Sequence, residues 1–240
     1  MTIVGILSFP RSGNRWMRNI VAASLGGSMM DIPDLHQASF SGAKDFNGIK
    51  AFKFHAGTYL KRYKEMDADM THVIHIRRHP LDVFVSYVNY KSNKVSGNAI
   101  IPYESIDSIA GTDLFDIYFD SFILHGHIER PAFYQLSKDY FSHNDYWISE
   151  AKRNSCIHCL KYEDIMIDPI GALSFLPKLL GVDTDKVVNA LKTAEDRTPV
   201  NGGLVWRKKM GGFSDYLTEA QINRFAKFRR EDCQRLGYEV

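Results

Sequence analysis

The residues with the clearest chemistry lie near the amino terminus, at positions 8–16, which read Ser-Phe-Pro-Arg-Ser-Gly-Asn-Arg-Trp. An apolar, β-branched run at 3–7 predicts a buried strand before them, and the apolar spacing from Trp16 onward predicts a helix after them. A small-residue loop between a strand and a helix directs backbone N–H groups at one point, which suits an anion. Arg11 and Arg15 add two positive charges. The stretch therefore predicts a loop that holds a phosphate or sulfate; the alternative is a plain strand–helix corner with solvent-facing arginines.

This loop differs from the loop that binds nucleoside triphosphates together with magnesium. That motif, G-x-x-x-x-G-K-[ST], supplies a lysine for the terminal phosphates and a hydroxyl for the metal. Here Gly13 is followed by Asn14 and Arg15, so the lysine and the hydroxyl are both missing. A magnesium-dependent kinase or ATPase is therefore disfavoured.

Two further predicted strands end in residues that carry chemistry. Residues 49–55 alternate like a half-buried strand and place His55 at its carboxyl end, where open α/β sheets bind ligands. A buried strand at 73–76 runs into the basic corner 77–78, and a helix is expected to begin near Pro80. The residues alone therefore predict two or three anion sites on one α/β sheet.

The carboxyl-terminal third contains helices and one basic loop. Asp168-Pro169 has the form of a helix start, and Pro177 should kink or divide that helix. Residues 197–215 combine paired glycines with clustered cations, which is typical of a loop that closes over an anion or of a solvated basic loop. Thr218 and Gln221 form a capping box for a last helix. Its inward-facing residues are predicted to be Ile222, Phe225, Phe228 and Leu236.

The composition excludes several classes of function. Thirty basic and 28 acidic side chains give a net charge of +2, which does not indicate a nucleic-acid footprint. No apolar run approaches the ~20 residues of a membrane span, and no secretory signal is recognisable, so no stable membrane anchor and a cytoplasmic location are expected. Three cysteines argue against a disulfide framework, and the Cys156–Cys159 pair is interpreted as part of a strand rather than as a metal site.

The loop at 8–16 resembles the 5′-phosphosulfate loop of the sulfotransferases that use 3′-phosphoadenosine 5′-phosphosulfate (PAPS). That family reads roughly Y-P-K-S-G-T-T-W there, and Arg11 stands at the place of the lysine. The family's 3′-phosphate motif, R-N-x-x-D-V-x-V-S-Y, is matched from Arg78 through Ser86 to Tyr87, at the same spacing. Arg77 does not fit that spacing and is given a lesser role.

Three shorter matches follow the same family order. Lys53 and His55 match K-T-H, with Phe54 replacing the threonine, and Tyr162 opens a match to Y-E-D. Residues 142–147 resemble the H-V-x-x-W segment and are expected to precede a helix. The basic loop matches R-K-G-x-x-G-x-W through its arginine and lysine, but the first glycine is absent and a phenylalanine stands at the tryptophan's place.

The resemblance implies roles for individual residues. His55 would be the catalytic base, Arg11 would stabilise the leaving oxygen, and Lys53 would assist. Because arginine does not donate its proton, an acid role of the family's lysine would be lost here. The residues implied in binding the PAPS donor are Arg11, Ser12, Gly13, Asn14, Arg15, Trp16, Arg78, Ser86, Tyr162, Arg207 and Lys208.

The combined prediction is one α/β domain over residues 1–240, with a central parallel sheet flanked by helices, in the P-loop-like sulfotransferase architecture. It would transfer a sulfuryl group from PAPS to a hydroxyl of a small-molecule acceptor, without a metal. The alternatives are a nucleotide-dependent kinase of a small molecule and a non-catalytic nucleotide- or sulfoglycan-binding module on the same fold. The acceptor and the oligomeric state stay open, with a homodimer as one option.

Overall fold

The computed structural model describes residues 1–34, 42–57, 70–92, 100–128, 138–196 and 208–240. Within them, one sheet is formed by parallel strands in the order β2-β1-β3-β4. This is the parallel α/β architecture that the sequence predicts. The strands are β1 (Thr2–Ser8), β2 (Ile49–Phe54), β3 (His72–Arg77) and β4 (Ile157–Lys161).

Helices connect and cover the strands. They are α1 (Asn14–Ser24), α2 (Pro80–Ser92), α3 (Ile106–Ile109), α4 (Asp113–His125), α5 (Tyr140–Ala151), α6 (Tyr162–Ile167), α7 (Pro169–Ala172), α8 (Leu176–Leu180), α9 (Thr184–Asp196) and α10 (Glu219–Arg235). Short 3-10 turns occupy Met29–Asp31 and Gly212–Asp215.

The alternation of side chains along β1 distributes apolar groups to both faces of the sheet. Val4 and Ile6 pack with Ile20 of α1 and Leu176 of α8 on one face. Ile3 and Leu7 pack on the opposite face with other core residues, namely Phe52, Phe54, Val73 and Trp147. Because helices cover both faces, the strands are apolar throughout, as parallel strands usually are.

The strand order places the basic segments at one edge of the sheet. The chain passes from β1 outward to β2 and then returns to the other side of β1 to form β3. The carboxyl ends of β1 and β3 therefore lie side by side where the strand order reverses, and such a reversal opens a ligand crevice. The loop 8–16 follows β1 and the corner 77–78 ends β3, so both face this crevice.

Most predicted helix boundaries agree with the structure, and two predictions were wrong. Residues 142–147 lie inside α5 rather than before a helix, because Asp139 is the N-cap and accepts hydrogen bonds from the backbone of Phe141 and Ser142. Phe228 on α10 was predicted to face inward but is 59% exposed. Pro177 does accompany a division, since α7 and α8 are separate helices.

Among the helices of the described ranges, none is both long and apolar enough to cross a membrane.

Candidate active site

The loop between β1 and α1 is built from unusual backbone conformations. Gly13 has φ of 105° and Arg11 has φ of 73°, both in the left-handed region. The carbonyl of Gly13 accepts the N–H groups of Trp16 and Met17 at 3.1 and 3.2 Å, so α1 starts directly at the loop. A side chain on Gly13 would meet the ring of Tyr162 at 2.8 Å. Glycine is therefore required here by both conformation and space.

Several buried polar atoms around this loop have no hydrogen-bond partner in the described part of the chain. An unsatisfied buried polar group costs roughly 1–3 kcal/mol, so a cluster of them is not expected unless a polar ligand completes it. The cluster mixes hydroxyl and N–H groups, which can donate to an anion. Its potential donors are Ser8 Oγ, Ser12 Oγ, Arg15 Nε, Trp16 Nε1 and Arg78 Nε.

Arg11 is a partly buried cation among other cations. Its pKa is lowered from 12.5 to about 10, mainly by desolvation; the charges of Arg78 and Arg15 contribute to this lowering, and Tyr90 opposes it. Its Nε donates to Ser86 Oγ at 3.2 Å. No carboxylate of the described residues forms an ion pair with Arg11 or Arg15. An anion bound here would relieve this repulsion.

Arg78, at the end of β3, joins the two basic segments. Its guanidinium lies 4.7 Å from the ring centre of Tyr162, the same ring that packs against Gly13. Trp16 contacts this ring edge to face at 5.7 Å. Burial raises the pKa of Tyr162, so the phenol stays neutral. Tyr162 is thus the shared wall between the loop after β1 and the corner after β3.

The segment 208–213 is fixed to the same corner. Arg78 Nη2 donates to the carbonyl of Lys209 at 2.8 Å, and Asp82 accepts the backbone N–H groups of Gly211 and Phe213 at 2.9 and 3.1 Å. Lys208 Nζ lies 2.5 Å from Glu195. The structure therefore brings Lys208 to this region with its ammonium paired. Arg207, predicted as a donor-binding residue, lies outside the described residues.

His55 lies beside the loop that follows β1. Its Nδ1 is 2.7 Å from the carbonyl oxygen of Ser8, the last residue of β1. Because a carbonyl only accepts, Nδ1 carries the proton and Nε2 is the basic nitrogen of the neutral ring. The structure thus brings the predicted base to the anion loop and selects its tautomer.

Lys53 is engaged elsewhere. Its ammonium forms a hydrogen-bonded ion pair with Asp34, and both side chains are largely buried. Burial lowers the pKa of Lys53, and the carboxylate of Asp34 opposes that change. Arg77 also has a partner, because its Nε donates to the carbonyl of Leu236 at 3.1 Å.

Comparison with known proteins now decides the family. The sequence-family model described as the sulfotransferase domain matches residues 2–237 of this chain. The chain belongs to the sulfotransferase family. No curated protein sequence matches this sulfotransferase significantly.

Solved structures share the fold of this sulfotransferase. The match to mouse sulfotransferase SULT7A1, complexed with PAP, covers 97% of this chain and 84% of that chain at 17% sequence identity, with a TM-score of 0.64. The match to retinol dehydratase, in a complex with androsterone and the inactive cofactor PAP, covers 97% of this chain and 80% of that chain at 14% sequence identity, with a TM-score of 0.65. The match to a complex of retinol dehydratase with retinol and PAP covers 97% of this chain and 81% of that chain at 14% sequence identity, with a TM-score of 0.64.

The structure adds site residues that the sequence did not single out. Tyr90 lies 4.7 Å from the Arg11 guanidinium, and the Tyr140 hydroxyl donates to the carbonyl of Arg78. Tyr90 follows Ser86 by four residues on a predicted helix, so their shared face was a usable signal. Asp34 and Tyr140 gave no such signal, because long connections bring them to the site.

Within the described ranges, no group of three or more His, Cys, Asp or Glu side chains is arranged to hold a metal ion.

Proposed function

We propose that this sulfotransferase moves the sulfuryl group of PAPS to the hydroxyl of a small acceptor by in-line displacement, with His55 as the base. The observation that carries the proposal is the hydrogen bond between His55 Nδ1 and the Ser8 carbonyl, because it joins a correctly protonated base to the anion loop. PAPS supplies an activated sulfuryl group and a nucleotide leaving group. Such transfers depend on positioning and charge stabilisation more than on covalent catalysis.

The protonation state of the His55 ring suits this role. With the Nδ1 proton held by Ser8, Nε2 accepts the proton of the acceptor hydroxyl as its oxygen attacks. The unperturbed imidazole pKa of ~6.5 suits a base near neutral pH. The backbone hydrogen bond also holds the ring orientation through the cycle.

The loop after β1 suits the 5′ end of the donor. Its backbone N–H groups, the hydroxyl of Ser12 and the two cations Arg11 and Arg15 would hold the phosphate and sulfate oxygens. The buried polar atoms without partners are the observation that favours this fit. Arg11 would stabilise the negative charge that gathers on the leaving oxygen, and Trp16 and Tyr162 offer aromatic surfaces for the adenine.

The corner after β3 suits the 3′-phosphate. Arg78, Ser86 and Lys208 would bind it, together with Arg207. The Lys53–Asp34 ion pair makes Lys53 a weaker candidate for direct contact with the sulfuryl group than the sequence implied. If two or three charge-assisted hydrogen bonds form, each worth roughly 1.5–3 kcal/mol, the 3′-phosphate contributes about a thousandfold in affinity.

We propose further that residues 1–240 act as one sulfotransferase domain in the cytoplasm. The neighbours' ligands, retinol and androsterone, are small molecules with hydroxyl groups, which supports an acceptor of that general class.

The test is a calorimetric titration with 3′-phosphoadenosine 5′-phosphate (PAP), with ADP, and with ATP plus magnesium. We expect PAP to bind about a thousandfold more tightly than ADP, with or without magnesium. Arg78→Ala should remove that preference. A preference for ATP with magnesium would overturn the proposal in favour of a kinase.

The role of His55 is tested separately by His55→Gln. This variant should bind PAP like the natural protein but form PAP from PAPS about 10²–10⁴-fold more slowly. Unchanged turnover would exclude His55 as the base. Absence of turnover in the natural protein, with intact PAP binding, would support the non-catalytic binding module.

A further inference from the structure

Arg11 is a partly buried cation that has no carboxylate partner among the described residues, so other groups must fix its orientation. Among the described residues, its identified side-chain partners are the hydroxyl of Ser86 and the ring of Tyr90. A lysine at this place would turn freely on its flexible stem, whereas the planar guanidinium has N–H groups in fixed directions. Its use in catalysis therefore depends on how it is held.

The ring of Tyr90 holds the guanidinium without using its N–H groups. The carbon at the centre of the guanidinium lies 4.7 Å from the ring centre, within the range of a cation–π contact. Ser86 Oγ accepts the Nε–H of Arg11 at 3.2 Å. A carboxylate would occupy two N–H groups and cancel the charge, but an aromatic face does neither.

Local sequence explains why these two side chains meet Arg11 together. Ser86 and Tyr90 are four residues apart on α2, so they lie on one face of the helix. Burial raises the pKa of Tyr90, and its phenol stays neutral at physiological pH. The pair therefore forms a cradle with one hydroxyl and one aromatic face.

We propose that Tyr90 is a positioning residue for sulfuryl transfer: its ring orients Arg11 so that the remaining N–H groups meet the leaving oxygen of PAPS. This inference rests on the proposed function. It makes Tyr90 the partner of the arginine that replaces lysine in this chain. Tyr90 acts through Arg11 and need not touch the substrate.

The test is a double-mutant cycle with Tyr90→Leu and Arg11→Lys, measured as PAP formation from PAPS with water as the acceptor. In that reaction the water oxygen bonds to sulfur and loses a proton to the base or solvent, the bond from sulfur to the bridging oxygen breaks with its electron pair on that oxygen, and PAP and sulfate leave. Tyr90→Leu should lower kcat about tenfold, the size of a buried cation–π contact, with little change in KM for PAPS. Tyr90→Phe should restore kcat to within about twofold, because it keeps the ring.

The two substitutions should be strongly coupled. In the Arg11→Lys background, Tyr90→Leu should change kcat by less than about threefold, since the planar cation is gone. Full additivity would overturn the proposal, as would a Tyr90→Leu effect confined to KM or to the melting temperature. Loss of PAP-forming activity in the natural protein would overturn the proposed function itself, which is a different result from activity without coupling.

Discussion

The loop after β1 and the corner after β3 both carry cations at the carboxyl ends of neighbouring strands, but they balance those cations differently. In the described residues, Arg11 and Arg15 of the loop have no carboxylate partner, and nearby polar atoms are buried without hydrogen bonds. At the corner, Arg78 lies 3.8 Å from Asp82, and Lys208 lies 2.5 Å from Glu195. One site keeps its charges uncompensated, and the other compensates them.

The difference indicates how strongly each region should bind an anion. The loop holds cations close together without a carboxylate partner among the described residues, so a bound anion would relieve their mutual repulsion. The corner is stable without a ligand, and an anion must compete with existing carboxylates. The loop should therefore dominate affinity, and the corner should dominate the discrimination between nucleotides with and without a 3′-phosphate.

The largest expected effect comes from the glycines of the two regions. Gly13→Ala should weaken PAP binding by about a hundredfold or more, because the new Cβ combines a left-handed φ with a 2.8 Å contact to Tyr162. Gly211→Ala is the matched control, since Gly211 also has a positive φ, 66°, but nothing within 4 Å of its Cβ position. It should weaken binding by less than about tenfold. Equal effects of the two substitutions on PAP affinity, measured by calorimetry, would show that the conformation of the loop does not depend on glycine at position 13.

Stability should respond in opposite directions to loss of the two arginines. Arg11→Met should raise the free energy of unfolding of the ligand-free protein by about 1–2 kcal/mol, because it removes a partly buried charge that has no carboxylate partner among the described residues. Arg78→Met should lower it by about 2–3 kcal/mol, because Arg78 bonds to Lys209 and faces Asp82. Denaturant unfolding without PAP measures both, and a destabilised Arg11→Met protein would refute uncompensated charge in the loop.

Acid should weaken the corner more than the loop. His79 stacks on Phe213 at 4.8 Å, and burial lowers its pKa, an effect that Arg78 reinforces while Glu239, Asp82 and Glu163 oppose it. The unfolded chain therefore binds a proton at His79 more readily than the folded protein does. The contribution of neutral His79 to the free energy of unfolding is present above pH ~6.5 and is lost as the pH falls below that value.

Between pH 6.5 and 5.5 the natural protein should lose about 0.5–1 kcal/mol more unfolding free energy than His79→Gln does. The difference between the two proteins isolates His79 from other buried histidines. A parallel pH dependence in both would show that His79 does not couple the corner to protonation.

The smallest effect should come from releasing a lysine of the corner. Glu195→Gln removes the charge that holds Lys208 and should raise PAP affinity about two- to threefold, the scale of an exposed ion pair. Asp215→Asn, which releases Lys209, is the comparable variant. Weaker PAP binding in Glu195→Gln would mean that Glu195 positions Lys208 rather than competes for it.

Local pattern predicted the elements that carry the site. Continuous apolar runs predicted β1 and β3, and apolar alternation predicted β2. The basic and glycine-containing segment after β1 indicated the loop at 8–16 as a candidate anion site. Residues 142–147 were misplaced because their helix begins at an Asp139 cap rather than at the polar run itself. On the last helix, Phe228 was wrongly predicted to face inward, because its exposure depends on which neighbours cover α10.

The sequence by itself determined the family, the parallel α/β sheet and the residues at its strand ends, because short-range periodicity and motif spacing encode these features directly. Only the tertiary structure decided which charges meet. It paired Lys53 with Asp34, held Arg11 between Ser86 and Tyr90, and fixed the His55 tautomer through Ser8. Ion pairs and hydrogen bonds between residues far apart in the chain depend on the packing of whole elements, which no local pattern specifies.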